Sequence, residues 1–224
     1  VHIDIVRNGK SERLATVNGD ARVSVAADGR VLLTQYDVCN TLYLSYDVYR
    51  LEAGGLQQVS HCAHLRRVVH AGADILALQL DAGRTRLVQL GAAGTAPQVI
   101  YAPTAGVDLI DLAASADGQQ VSLIEKHGGD WRIVQIDRTQ PGVAPRLLLR
   151  RATPLSALRQ GRGGLEFIMA EGGALNVWRL QDGQLQRLTH SHTGVLAHSG
   201  TAVDGSLATV VIAPQGHALH RLDR

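Results

Sequence analysis

Cysteine, lysine and the aromatic residues are scarce in this chain of 224 residues. Its only cysteines are Cys39 and Cys62, too few for a disulfide-dense scaffold or a zinc finger. Its only lysines are Lys10 and Lys126, whereas arginine, alanine, glycine, leucine and valine are abundant, a composition that indicates a GC-rich bacterium. The formal net charge is +2, so charge alone indicates no acidic partner.

Long apolar runs are also missing. None approaches the roughly 20 residues that a membrane helix needs, so no membrane insertion is expected. No charged leader followed by an apolar segment is visible, and the chain begins at Val1 rather than at a methionine. We therefore interpret it as either a mature protein or a piece of a longer one. The hydrophobic share of 45% is still ample for a full core.

Helical periodicity is almost absent, and short apolar runs alternate with glycine and aspartate turns. An Asp-Gly pair precedes an apolar strand at Asp28-Gly29, Asp117-Gly118 and Asp204-Gly205, which predicts hairpins closed by type I′ turns. Weaker copies stand at Gly72-Ala73 and Gly163-Gly164. The positions 28, 72, 117, 163 and 204 are 44, 45, 46 and 41 apart, so the chain repeats.

A second series of apolar strands runs in phase with these turns. Its members end at Val6, Leu51, Leu90, Ile136, Leu180 and Leu222. Most are followed by a glycine turn and another short strand, as at Gln186-Arg187-Leu188. Four short strands in a repeat of this length predict an all-β chain of four-stranded antiparallel β-propeller blades, about five to six in number. We name the strands of a blade A to D, from inner to outer.

The turn Ser115-Ala116-Asp117-Gly118 and the outer strand Arg187-Leu188-Thr189 resemble the repeats of the TolB-like, or WD-like, bacterial propeller family. Looser copies of the turn stand at Ala26-Ala27-Asp28-Gly29 and Ala202-Val203-Asp204-Gly205. The aromatic residue that usually precedes the family's turn is missing in every blade. The resemblance covers nearly the whole chain. It implies a propeller located in the periplasm or outer envelope, and it implies the fold more directly than the function.

The two ends of the chain do not supply complete blades. We predict a partial blade over residues 1–19, complete blades over 20–64, 65–106, 107–154 and 155–194, and a partial blade over 195–224. The chain is then a single propeller domain or a segment of one, incomplete at both ends. A small ring of about five or six blades, closed by strands from both ends, is the alternative.

Catalytic motifs are missing. The chain has neither a Gly-x-Ser-x-Gly elbow nor a His-Glu-x-x-His motif, and Gly161-Arg162-Gly163-Gly164 lacks the Lys-Ser/Thr ending of a phosphate loop. The arginines between residues 146 and 162 have no aromatic neighbours for base stacking, so no nucleic-acid binding is expected. We therefore predict no catalytic residue, no cofactor and no metal.

The predicted function is non-catalytic: binding or scaffolding of another protein, a peptide or a neighbouring domain of the same chain. Two alternatives remain, an accessory propeller domain of an envelope peptidase and a propeller that binds a small ligand or a metal ion. Full-length sequence would decide the first, and calorimetry with zinc or calcium the second.

Binding is predicted on the rim formed by the B-to-C and D-to-A connections, which emerge on one face of a propeller. The candidate contact residues are Tyr43, His61, His64, His190 and His192. Tyrosine suits an interface because it offers area with a polar tip, but it also suits strands, and for Tyr46 and Tyr49 packing is favoured. The histidines follow the repeat rather than a chelating motif, so separate loop positions are favoured over a metal site.

Both cysteines fall in predicted connections on this rim, Cys39 between strands B and C and Cys62 between strands D and A. Their proximity in the blade predicts a disulfide across 23 positions, worth about 3 kcal/mol of stability. An envelope compartment permits the bond. The alternative is two free cysteines in a cytoplasmic protein.

Overall fold

The computed structural model describes residues 2–7, 10–26, 28–92 and 95–223. Val1, Asn8 and Gly9 of the predicted partial blade 1–19 lie outside the described residues, as do Ala27 of the first Asp-Gly turn and Arg224 of the last partial blade. The regular elements of the described part are all β-strands, which confirms the all-β prediction. A search of the same residues found no helix able to cross a membrane.

The chain divides into two compact units, Val1–Ala105 with Ala116–Gly118 and Gly106–Ser115 with Gln119–Arg224. The strands of the first unit are β1 (His2–Arg7), β2 (Lys10–Thr16), β3 (Arg22–Val25), β4 (Val31–Cys39), β5 (Tyr43–Glu52), β6 (Gly55–Gln58), β7 (Leu65–Ala71), β8 (Asp74–Asp81), β9 (Arg84–Leu90) and β10 (Gln98–Tyr101). Those of the second are β11 (Val107–Ala114), β12 (Gln120–His127), β13 (Asp130–Asp137), β14 (Arg146–Arg151), β15 (Leu155–Gly161), β16 (Gly164–Glu171), β17 (Ala174–Gln181), β18 (Gln184–Arg187), β19 (Val195–His198), β20 (Leu207–Ala213) and β21 (Gly216–Leu222).

Consecutive strands pair antiparallel in chain order to form a five-bladed propeller. In the first unit, blade 1 is β3 to β6 and blade 2 is β7 to β10; β1 and β2 form a two-stranded sheet. In the second unit, blade 3 is β11 to β14, blade 4 is β15 to β18, and blade 5 has only β19 to β21. The described strands of the two chain ends belong to separate sheets. The predicted blade boundaries, and the choice between one domain and a segment of one, stay predictions.

The Asp-Gly hairpins form, but the predicted type I′ turn is wrong. Gly29 and Gly205 both have φ of 86°, whereas the aspartate before each glycine does not have a positive φ. In both turns the glycine amide donates to the carbonyl three residues earlier, at 3.0 Å. In both turns the glycine, and not the aspartate, therefore has the left-handed conformation. At Gly118 (φ 72°) space also requires glycine, since a Cβ there would overlap the carbonyl group of Ala71.

The core consists of apolar side chains packed between adjacent sheets. In the first unit, Leu32 and Val48 of blade 1 pack with Leu65 and Val68 of blade 2. In the second unit the largest cluster is built around Phe167, with side chains from blades 3 and 4. A strand covered on both faces has little solvent-facing surface, which explains why strands B and C read as continuous apolar runs rather than as alternating patterns.

Candidate binding surface

The B-to-C hairpin of blade 1 extends beyond its neighbouring strands. β3 pairs only with residues 31–34 and β6 only with residues 49–52, whereas β4 and β5 pair with each other as far as Cys39 and Tyr43. We call residues 35–48 the outer hairpin. A two-stranded ribbon is only marginally stable in water, so the position of the outer hairpin depends on the contacts at its base and tip.

The tip of the outer hairpin corrects the sequence prediction. Cys39 and Tyr43 were expected in the connection between strands B and C, but β4 runs to Cys39 and β5 begins at Tyr43. Asn40 and Thr41 have φ of 51° and 62°, and the amide of Leu42 donates to the carbonyl of Cys39 at 3.1 Å. Two consecutive positive φ values define a type I′ turn. That turn therefore occurs here rather than at the Asp-Gly pairs.

Apolar side chains are concentrated at this tip. Val38, Leu42, Tyr43 and Leu44 are all exposed, Leu42 by 84%. Val38 and Leu44 are direct cross-strand partners and so lie on one face of the ribbon. A group of exposed apolar side chains on an ordered element is typical of an interaction site, whereas single exposed residues are common everywhere.

A buried carboxylate, Asp47, organises the base of the outer hairpin. The hydroxyl of Ser60 donates to its Oδ1 at 2.8 Å, and the amides of Cys62 and Ala63 donate to Oδ2 and Oδ1 at 2.8 and 3.1 Å. The Ser60 hydroxyl oxygen also accepts the amide of Val48 at 2.9 Å. Hydrogen bonds to a charged acceptor are among the strong ones, so Asp47 holds the D-to-A connection, residues 59–64, against β5.

The predicted disulfide between Cys39 and Cys62 is confirmed, with the two Cα atoms 5.3 Å apart. It joins the end of β4 to the D-to-A connection. Cys39 is 1% exposed, whereas Cys62 is half-buried. The His61 imidazole lies beside the bond, with its Nε2 at 3.4 Å from the Cys62 Sγ.

Three tyrosines stiffen the ribbon between base and tip. The rings of Tyr36 and Tyr46 stack with centroids 4.0 Å apart, and the Tyr46 hydroxyl donates to Asp20. The Tyr49 hydroxyl donates to Asp37. Burial and then the hydrogen bond to Asp20 raise the pKa of Tyr46, and burial and then the hydrogen bond to Asp37 raise the pKa of Tyr49 to about 12. Both hydroxyls therefore stay protonated and keep these bonds at neutral pH.

The structure brings three of the predicted contact residues together around the disulfide. The rings of Tyr43 and His64 are nearly parallel, with centroids 5.8 Å apart. The backbone amide of His64 donates to the Ser45 hydroxyl oxygen at 3.1 Å. His61 is exposed in the same connection. That these residues contact a partner stays a prediction.

The other two predicted contact residues, His190 and His192, are exposed in the D-to-A connection of blade 4, in the second unit. There Asn176 bonds the connection to strand C, as Asp47 does in blade 1. Its Oδ1 accepts the Thr189 hydroxyl and the Ser191 amide, both at 2.8 Å, and its Nδ2 donates to the Ser191 carbonyl at 3.2 Å. A rim shared by the histidines of both units stays a prediction. Among the described residues, no cluster of three His, Cys, Asp or Glu side chains could hold a metal ion.

A buried histidine that the sequence did not single out, His198, lies at the end of β19. Its Nδ1 accepts the Gly200 amide at 3.1 Å, so the proton is on Nε2, which donates to the Ala157 carbonyl at 2.7 Å. Burial lowers the pKa of His198 to about 4, against the weaker opposing effect of the Ala157 bond. No local pattern distinguishes it from the exposed histidines, because its burial depends on neighbouring strands.

No family model matches the sequence, and no curated protein matches it. Solved structures do match. A protein described as TolB from Agrobacterium tumefaciens aligns with a TM-score of 0.75 at 15% identity, over 96% of this chain and 80% of that one. TolB from Acinetobacter baumannii aligns with a TM-score of 0.68 at 15% identity, over 87% of this chain and 50% of that one.

A peptidase also has a similar fold. The acylaminoacyl peptidase of Pyrococcus horikoshii aligns with a TM-score of 0.62 at 12% identity, over 97% of this chain but only 39% of that one. At such identities a likeness in structure shows the fold and not the function. The resemblance is thus confirmed for the fold: this chain shares the β-propeller fold of these TolB structures.

Proposed function

We propose that this chain is a non-catalytic propeller that binds a protein or a peptide through the tip of its outer hairpin. The observation that carries the proposal is the exposure of Val38, Leu42, Tyr43 and Leu44 on a hairpin held at its base and tip. An apolar group held in place before binding loses little conformational entropy when a partner covers it. The contact residues His61 and His64 flank the same tip, and His190 and His192 are the candidates in the second unit.

We place this function in the cell envelope of a bacterium. The Cys39–Cys62 disulfide supports that location, because disulfides persist in oxidising compartments and are rare in the cytosol. The fold likeness to TolB, together with the repeat motifs, supports the same location. The proposal includes no cofactor and no nucleic acid.

Site-specific photo-crosslinking tests the proposal. A photoreactive amino acid at position 42 should give a discrete crosslinked product with a protein or peptide in cells of the source organism. Position 203 is the matched control, since Val203 is also 84% exposed but lies in the Asp204-Gly205 turn. Crosslinking at 203 but not at 42, or at neither position, would count against the proposal.

With the partner in hand, the substitution Leu42→Ala should weaken binding by roughly 1–3 kcal/mol, and Val203→Ala should not, because truncating a central apolar contact costs about this much. Equal losses from the outer-strand substitutions Arg146→Ala and Arg187→Ala would place the interface elsewhere.

An accessory propeller domain of an envelope peptidase is the second candidate. It is favoured by the fold likeness to the acylaminoacyl peptidase, in which the aligned part is a minor share of the chain. A Gly-x-Ser-x-Gly or His-Glu-x-x-His domain in the same polypeptide would support this candidate.

A further inference from the structure

The tip of the outer hairpin has few links to the rest of blade 1. Beyond the cross-strand pair of Asp37 and Ser45, where the Ser45 hydroxyl oxygen accepts the His64 amide, the described side-chain links are the Cys39–Cys62 disulfide and the stacking of Tyr43 on His64. The other tip hydrogen bonds are local, as in the turn that joins Leu42 to Cys39. The disulfide is therefore the main constraint on where the exposed apolar side chains are presented.

The backbone on both sides of the bond is held in a sparsely populated conformation. Asn40, Thr41, Cys62 and His64 have φ between 51° and 62° and are half of the eight non-glycine residues with positive φ in the described chain. Such conformations persist only where the surroundings impose them. Hydrogen bonds to Asp47 hold the segment around Cys62, so the loss of the disulfide would relax mainly the tip around Asn40 and Thr41.

The base of the hairpin does not need the bond. In blade 4 the corresponding connection is held by hydrogen bonds, among them those of Asn176, Thr189 and Ser191, without a disulfide. In blade 1, Asp47 makes its three hydrogen bonds to Ser60 and to the backbone of the D-to-A connection. Opening the disulfide should thus free the tip and leave the base and the blade in place.

We propose that Cys39–Cys62 is a reducible latch, which a dithiol opens to release the tip of the outer hairpin while the propeller stays folded. Cys62 is the more accessible of the two cysteines. A thiolate of the dithiol attacks the Cys62 Sγ, and the sulfur–sulfur bond breaks with its electron pair on the Cys39 Sγ, which takes up a proton. The second thiol then attacks the mixed disulfide. The dithiol leaves as a disulfide, and both cysteines end as thiols.

Amide hydrogen exchange of the folded chain, oxidised and then reduced with dithiothreitol, tests the latch without any binding partner. Reduction should speed exchange in peptides covering residues 38–44 by at least about tenfold, because local opening alone exposes these amides. Peptides covering residues 188–194, the disulfide-free connection of blade 4, are the internal control and should not change. Unchanged exchange at 38–44, or an equal increase in both segments, would overturn the proposal.

The variant Cys62→Ser provides a second readout, the accessibility of Cys39. If the tip is released, the Cys39 thiol should react with a thiol reagent within about tenfold of its rate in the denatured chain. If Cys39 instead stays protected by more than about a hundredfold, the tip is held without the bond and the latch is refuted. An unchanged far-UV spectrum checks that the variant is folded. Neither readout depends on crosslinking at position 42, so the latch and the proposed function can fail separately.

Discussion

The D-to-A connections of blades 1 and 4 share one hydrogen-bonding pattern but differ in the buried side chain that accepts it. Each connection contains a hydroxyl group, of Ser60 in blade 1 and of Thr189 in blade 4. Its oxygen accepts a hydrogen bond from a backbone amide of strand C at 2.9 Å. The same hydroxyl donates to a buried side chain of strand C. The buried acceptor is the carboxylate Asp47 in blade 1 and the amide Asn176 in blade 4. Only blade 1 adds a disulfide and an extended hairpin.

The comparison of the two blades shows which features a blade requires and which features are additional in blade 1. Blade 4 joins strands B and C through Gly172 and Gly173, both at positive φ, in a tight turn. Blade 1 continues its ribbon by several residues and ends in exposed apolar side chains. Because blade 4 is complete without these features, the outer hairpin and its disulfide are not needed to form a blade.

Without the disulfide, the D-to-A connection of blade 1 would be held by hydrogen bonds, as in blade 4. Removing the disulfide should have the largest effect on the unfolding free energy. The double variant Cys39→Ser, Cys62→Ser should lose between about 3 and 4 kcal/mol of unfolding free energy, since the bond closes a loop in the unfolded chain. Urea unfolding of the oxidised protein and the variant measures the loss. Thiol titration of unreduced, denatured protein should find no free thiol; two free thiols, or an unchanged midpoint, would contradict the assignment.

Acid should destabilise the folded chain through the buried histidine of the second unit, His198. The pKa of His198 is about 4 in the folded chain and near 6.5 when unfolded, so the unfolded chain binds the proton first. The neutral His198 side chain therefore contributes fully to the unfolding free energy above pH 6.5. About 3 kcal/mol of this contribution is lost as the pH falls towards 4. Burial also lowers the pKa of His70, which adds in the same direction.

Urea unfolding at pH 7 and at pH 5 measures this dependence. His198→Asn should flatten it, whereas His192→Asn, at an exposed position, should leave it as in the unsubstituted chain. If both variants have the same slope, the acid sensitivity arises from another group.

Exchanging the two buried acceptors tests whether their difference is structural. In Asp47→Asn, an NH₂ group would replace one carboxylate oxygen and would face at least the Cys62 amide, a donor like itself, which should cost about 2 kcal/mol. In Asn176→Asp, the carboxylate would face the Ser191 carbonyl and lose the bond from Nδ2, with a similar cost. Chemical denaturation at pH 7 measures both, and a neutral effect at either position would mean that its connection can rearrange.

The fold could be predicted from the sequence because its evidence is local and repeated. The turn around Asp117-Gly118 and the strands ending at Leu90 and Ile136 each need only a few adjacent residues, and strong or weaker copies of them recur along the chain. The turn type was predicted wrongly because the same dipeptide also suits a longer loop, in which the glycine alone is left-handed. The disulfide followed from the repeat, since the repeat places Cys39 and Cys62 near each other.

The arrangement of the candidate site depends on contacts that sequence does not show. Asp47 bonds to residues 13 to 16 positions further along, and its role exists only once the connection folds over β5. The extension of the outer hairpin was missed because the strand propensity of a residue such as Val38 does not show whether it has a partner across the hairpin. The cross-strand pairing of Val38 with Leu44 decides the matter, and pairing is a property of the folded chain.

The smallest expected effect on stability is the most informative about function. Leu42 is 84% exposed at the tip of blade 1, so Leu42→Ser should change the unfolding free energy by less than about 0.5 kcal/mol. Leu175, near the start of strand C in blade 4, is the matched control. Only 36% of it is exposed, and its Cβ lies beside Gly194, so Leu175→Ser should cost about 1 kcal/mol. Urea unfolding of both variants provides the comparison.

If the exposed apolar residue Leu42 contributes nothing to the stability of the fold, its position on a constrained hairpin indicates a role in binding. If Leu42→Ser instead costs as much as Leu175→Ser, the tip packs on its own blade in solution, and the observation that carries the proposed binding function is lost.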